Sequence, residues 1–264
     1  MSRYDDIMTW IFERKYRRGA SEVAFDREDL VAASEALGIP RPKNLGDVVY
    51  TYRYRKALPD TIRERAEPPA GWILVPRGTA RYALVIHPQG GFIEPPEGLS
   101  ETLIPDATPE IVSENELSDE QALLARVRYN RLVDIFTGVT SYSLQNHYRT
   151  SLPDIGQVEL DAIYVGVDTQ GRQFFMPIEA KGPRDRLSVV QIGQSIACWQ
   201  EKFRSLICRP LAACGSADGS ITMFEFDVTD RWEQIGYREV RRYRLVPASE
   251  VPAGQRNPFK TGAP

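Results

Sequence analysis

The residue types best suited to chemistry are concentrated between Val158 and Lys181. Glu159 and Asp161 stand on one apolar stretch, and Glu179 and Lys181 stand on the next. Side chains alternate along a strand, so Glu159, Asp161 and Ile163 share one side while Leu160 and Ala162 take the other. By the same rule Glu179 and Lys181 share a side and Ala180 faces away. The run Val167-Asp168-Thr169-Gln170-Gly171 supplies a turn, and hairpin pairing would bring Asp161 beside Glu179. Two carboxylates held together repel, burial worsens the repulsion, and the pair then requires a proton or a divalent cation. A lysine beside them can orient and activate a metal-bound water. A metal that polarises a phosphate and generates hydroxide, with a cation at the developing charge, is the equipment for hydrolysing a phosphodiester.

These groups need a scaffold. Apolar runs predict strands at 141–147, 157–167 and 173–179, an amphipathic helix at 188–203, and further strands at 209–214, 221–228 and 237–246. Before them, Leu117-Ser118-Asp119-Glu120-Gln121 reads as a capping box with Ser118 as cap, opening a helix to about 136 that ends at Gly138. The acid-x-lysine triplet is uninformative alone. Chance gives about 0.8 matches in a chain of this composition, and there are two, Glu13-Arg14-Lys15 and Glu179-Ala180-Lys181. Only the second ends an apolar strand, follows a strand carrying Asp161, and precedes a helix carrying Gln191.

In that context residues 117–230 resemble the PD-(D/E)XK nuclease superfamily, the fold of type II restriction endonucleases. The resemblance implies an α/β fold with a mixed-sheet core. It makes Asp161 the first metal ligand, Glu179-Ala180-Lys181 the acid-x-lysine triplet, and Gln191 the glutamine found on the following helix in many members. Glu120 is the candidate for the family's glutamate on the preceding helix. Leu160 stands where the family has proline. The literal Pro153-Asp154 lies before a glycine turn and off the strand, so Asp161 is preferred. The implied catalytic set is Asp161, Glu179, Lys181 and Gln191. Asp161 and Glu179 are the implied ligands of Mg²⁺, with Mn²⁺ as a substitute. Glu159 is either a further ligand or a solvated charge, and Gln194, one helical turn from Gln191, can reach the same face.

The front of the chain predicts a different unit. Residues 4–17 and 27–37 read as helices, the second capped by Asp26 and stopped by Gly38. A third helix fits 44–55, and residues 72–75 and 80–86 fit a hairpin around Arg77-Gly78. Three helices followed by a hairpin is the order of a winged helix-turn-helix, whose third helix enters the DNA major groove and whose hairpin touches phosphate. Lys43, Asn44, Tyr50, Thr51, Tyr52, Arg53, Arg55 and Arg77 are then the candidate DNA contacts. Alternatively, Tyr50 and Tyr54, four residues apart, pack and the arginines form a solvated face. The expected divisions are 1–93 for this winged-helix-like unit, 94–116 for an acidic proline-containing linker, and 117–264 for the nuclease unit.

Charge supports the division. The net charge of −3 does not advertise nucleic-acid binding, yet seven Lys/Arg against three Asp/Glu lie between Arg41 and Arg65. No Lys or Arg occurs between Arg81 and Arg126, a stretch rich in Glu and Asp. Arg184, Arg186 and Lys202 can hold phosphates or remain solvated. His87 and His147 are too far apart to suggest a zinc site. Three cysteines at irregular spacing read as buried thiols rather than a disulfide framework. The absence of a signal-like start and of a membrane-length apolar run favours a cytoplasmic protein with no membrane partner. The expected activity is sequence-specific, Mg²⁺-dependent cleavage of duplex DNA by a homodimer, with a cognate DNA methyltransferase as a possible partner. The alternatives are a structure-selective repair or recombination nuclease and a non-catalytic DNA-binding regulator.

Overall fold

The computed structural model describes residues 2–115 and 120–252. Its first half begins with α1 (Arg3–Lys15), opened by a capping box between Ser2 and Asp5. Strand β1 (Glu22–Asp26) runs directly into α2 (Arg27–Ala36), because Asp26 accepts the Asp29 N–H while the Asp29 carboxylate accepts the Asp26 N–H. Helix α3 (Gly46–Tyr50) continues as a π-helical turn, Thr51–Arg55. After the short α4 (Asp60–Arg63) come β2 (Gly71–Pro76) and β3 (Arg81–His87), which form the expected hairpin. β1 adds to it, giving an antiparallel sheet ordered β1-β3-β2. The strand β1 was not expected, since its five residues lie within a stretch dominated by the helix cap. Ile7, Ile11, Leu30, Val48, Ile62 and Trp72 close a core between these helices and one face of the sheet.

The second half is a mixed α/β layer structure. It comprises β4 (Phe92–Ile93), β5 (Glu101–Pro105), α5 (Glu110–Glu114), α6 (Glu120–Tyr129), α7 (Leu132–Thr137), β6 (Thr140–Leu152), β7 (Gly156–Val167), β8 (Gln173–Lys181) and β9 (Leu187–Ser188). Then follow α8 (Val189–Lys202), β10 (Ile207–Cys208), β11 (Leu211–Gly215), β12 (Ile221–Phe226) and β13 (Tyr237–Val246). The main sheet runs β5-β13-β12-β11-β8-β7-β6, with β10 also on β8. β8 is parallel to β11 and antiparallel to β7. Helices α6 and α7 cover one face through Leu124, Val127, Val133 and Phe136. Helix α8 covers the other through Val189, Ile192 and Ile196. Ile73, Val75, Ala83 and Val85 of the front sheet join that same cluster, so the two halves share a hydrophobic core rather than hanging on a tether.

Two expectations need correction. Residues 94–116 are not simply a linker. Their β5 is the edge strand of the main sheet, parallel to β13, and Arg244 pairs with Glu101 at 2.7 Å. Asn130 fixes the next turn by accepting the Ala107 N–H at 2.7 Å and donating to Thr108 at 2.9 Å. The helix expected to reach 136 breaks at Arg131, whose φ of 50° is left-handed, and resumes as α7, which Gly138 ends. The capping box at Ser118 and the tail past Pro252 lie outside the described residues. All three cysteines are buried and free. Burial pushes the Cys198 thiol up to about 11 and that of Cys214 up to about 12. No helix among the described residues is long and apolar enough to cross a membrane.

Candidate active site

The site lies where the main sheet opens. The last paired residues of β7 and β8 are Ala162 and Ile178, so Asp161 and Glu179 would come next in register. There the side chain of Asp161 replaces the ladder: its Oδ2 accepts the Ala180 N–H at 2.9 Å. Across from Asp161 on β6 stands His147, between the pairs Asn146–Ala162 and Tyr148–Leu160, with a left-handed φ of 49°. Strict alternation fails at this bend. Leu160 and Ile163 both reach the cluster around Phe175 and Cys198, while Ala162 enters the opposite cluster.

Helix α8 supplies the groups that hold Glu179. Ser188 caps the helix, and Gln191 completes the capping box. The Gln191 Nε2 donates to Glu179 Oε2 at 3.0 Å, and Ser195, one turn further on, donates from Oγ to Glu179 Oε1 at 3.2 Å. Glu179 is only 1% exposed. Burial first, and the Asp161 charge second, push its carboxyl well above the usual carboxylate range. That direction is the response expected of two close acids. Lys181 donates to Glu120 Oε1 at 2.8 Å, and its Nζ stands 3.7 Å from Asp161 Oδ2. Burial alone would lower the Lys181 pKa. The charges of Glu179 and Asp161 and the bond to Glu120 outweigh it and hold the group cationic. Burial likewise raises Glu120, against the pull of Lys181.

Asp161 and the buried Glu179 offer hard oxygen donors at neighbouring positions of the sheet. Among the described residues no three His, Cys, Asp or Glu side chains form a ready-made metal cage. Magnesium commonly takes only one or two carboxylates and retains waters, so this pair is a sufficient donor set for it. Glu159 is turned toward Arg149 at 3.0 Å and His147 at 3.2 Å.

Asp161, Lys181, Glu120, Gln191 and Glu159 line a cleft of about 1360 Å³ whose opposite wall is the front half, while the buried Glu179 and Ser195 do not line it. Tyr50, Arg53, Tyr54 and Arg55 of the helix 46–55 line it, as do Gly78, Thr79 and Ala80 at the tip of the β2–β3 hairpin. The two walls are bonded together. Tyr54 donates to Gln194 Oε1 at 2.9 Å, Ser188 Oγ donates to the Arg53 carbonyl at 2.7 Å, and the Gly78 N–H donates to the Asp154 carbonyl at 2.8 Å. Asp154 thus belongs to the β6–β7 turn.

Of the candidate DNA contacts, Tyr50, Arg53 and Arg55 face the cleft. Lys43, Asn44, Thr51, Tyr52 and Arg77 do not line it. Asn44 is engaged in its own turn with Gly46 and Asp47, and Thr51 bonds back to the Asp47 carbonyl. Tyr52 is buried and donates to Asp5 Oδ1 at 2.7 Å, which makes it a core residue. Arg77 pairs with Glu22. Arg184 and Arg186 line the cleft, and Lys202 lies away from it. His87 is buried, with Nε2 2.8 Å from the Ile235 carbonyl. Sequence reasoning missed Ser195, which its one-turn spacing from Gln191 would have revealed, and Arg149. The bond of Tyr54 to Gln194 had no sequence signal, because it depends on how the two halves dock. No family model, curated protein or solved structure matches this chain.

Proposed function

We propose that the chain is a Mg²⁺-dependent endonuclease of duplex DNA, restriction-endonuclease-like in its core and winged-helix-like in its front half. The observation that supports this reading is the convergence of Asp161 and Lys181 in one cleft with the helix 46–55, with the buried Glu179 next to Asp161 in register. The β1-β3-β2 sheet beside α1, α2 and the helix 46–55 also fits a winged helix. Asp161 and Glu179 would hold the metal, which would supply polarisation of the phosphate and a water acidic enough to attack it. Lys181, cationic and directed by Glu120, stabilises charge developing on phosphate oxygens from Nζ. Gln191 and Ser195 keep the Glu179 carboxyl turned toward Asp161. Tyr50, Arg55 and Arg149 grip the strand opposite, so reader and cutter engage one stretch of DNA rather than two. One active centre per chain cuts one strand, which favours a homodimer for double-strand cleavage. Sequence specificity, a cytoplasmic setting and a partner methyltransferase belong to the same proposal.

The test is incubation of the purified chain with methylated and unmethylated plasmid in Mg²⁺ or EDTA, beside Glu179→Ala. Discrete fragments that need Mg²⁺ and vanish in the variant support the proposal. Cleavage that persists in the variant puts the site elsewhere. Uncut DNA with tight binding would favour a binding protein.

A further inference from the structure

Behind the helix 46–55 lies a second cavity of about 300 Å³, joined to the cleft by Arg53 and Arg186, which line both. Its walls include Leu58, Pro68, Ile73 and Phe92. The Arg186 guanidinium carbon lies 3.9 Å from the Phe92 ring centroid. Three arginines line the cavity, and no Asp or Glu does. Arg63 pairs with Asp60, and Arg186 reaches Glu94 at 3.4 Å. Arg53 is different. Its Nε and Nη2 are shut off from solvent and have no acceptor, and Trp72 Nε1, also in the wall, has none either. Leaving a buried donor unsatisfied is costly, and more so for a charged one, so a side-chain shift of Arg53 that meets an acceptor in the cavity relieves that cost.

We infer that this cavity is a nucleotide subsite, in which Arg53 and Arg186 hold a phosphate and the apolar wall takes the attached base. The size supports a nucleotide over a larger ligand, since ligand pockets start at about 300 Å³. The apolar wall argues against a bare phosphate, which would leave it uncovered. The stacked Arg186–Phe92 pair is a platform on which a base can lie. Two sources share this chemistry: a nucleotide drawn out of the strand in the adjoining cleft, and a free nucleoside monophosphate. The first source rests on the nuclease reading, whereas the pocket chemistry does not.

The experiment is calorimetric titration of the full chain in EDTA with dAMP, deoxyadenosine and inorganic phosphate. The expected result is that dAMP binds at least 10-fold more tightly than either fragment, and that Arg186→Gln or Arg53→Met weakens it about 10-fold to 100-fold. Arg186 is exposed, so Arg186→Gln keeps the fold even if Arg53→Met does not. A duplex carrying 2-aminopurine then separates the sources. A fluorescence rise on binding that Arg186→Gln abolishes assigns the pocket to the bound strand, and dAMP binding without such a rise assigns it to a free nucleotide. The inference is overturned if dAMP binds no better than its fragments, or if folded Arg186→Gln binds it as well as the wild type. Because no arm requires cleavage, a chain that fails to cut plasmid still reports on this pocket.

Discussion

Replacing Glu179 with glutamine separates the carboxylate's chemistry from its packing. The side chain is 1% exposed and accepts from Gln191 and Ser195 at 3.0 and 3.2 Å. Glutamine keeps the shape and one acceptor, and its amide can donate toward Asp161. In the wild type, burial and the Asp161 charge raise the folded-state pKa above the unfolded value. A raised pKa contributes stability that is fully present below the unfolded pKa and lost as pH rises through the folded one. Without metal, then, the two proteins should respond to acid pH alike. Between the unfolded pKa and the raised folded pKa, the wild type should lose about 1.4 kcal/mol per pH unit relative to Glu179→Gln, and above the folded pKa the loss should level off. That slope is about 3–6 °C in melting temperature per unit for a chain of this size. Adding Mg²⁺ at 10–100 times its dissociation constant should return about 1.4–2.7 kcal/mol to the wild type and much less to the variant. The assay is thermal unfolding from pH 5 to 9 in EDTA and in Mg²⁺. Parallel pH profiles, or equal stabilisation of both proteins by Mg²⁺, would refute the reasoning that Glu179 is a buried acid with a raised pKa that ligates metal as the carboxylate.

Three further outcomes are expected. Lys181→Met should slow single-turnover plasmid cleavage by about 10²–10³-fold, while DNA binding in EDTA changes little, because the lysine acts at the developing charge. Tyr52→Phe removes a bond to the ionised Asp5, whose carboxyl is held low by Lys56, Tyr52 and Ser2 against the opposing effect of burial. It should cost about 1.5–3 kcal/mol in denaturant unfolding and leave the cleavage pattern unaltered; a changed pattern would restore Tyr52 as a reader. Gly193→Ala would place a methyl against the Trp232 ring and within 3.0 Å of Ile235 Cδ1. Chemical denaturation should show a loss of about 1–3 kcal/mol from overpacking.

The hairpin β7–β8, helix α8 and the hairpin β2–β3 were legible because each carries a local signal: apolar alternation, a turn, a cap. The same signals suggested Asp161 beside Glu179, since strand register follows from the turn between them. Three features were not legible. β5 is a short run between prolines whose pairing with β13 involves residues more than a hundred positions away. The break at Arg131 follows no glycine or proline. At Leu160–Ile163 a bend at the site overrides alternation, and no local rule encodes it.

Local pattern therefore placed the acids, the lysine and α8 in order, because strand and helix periods act over a few residues. Tertiary structure decided which of them meet. Tyr52, indistinguishable in sequence from Tyr50 and Tyr54, is turned inward to Asp5, whereas Tyr54 reaches Gln194, 140 positions on. Burial and charge also depend on tertiary contacts: Glu179 is buried against Gln191 and Ser195 of α8, which raises its pKa, and Arg53 leaves Nε and Nη2 without an acceptor where two separately readable halves close on one cleft and one shared core.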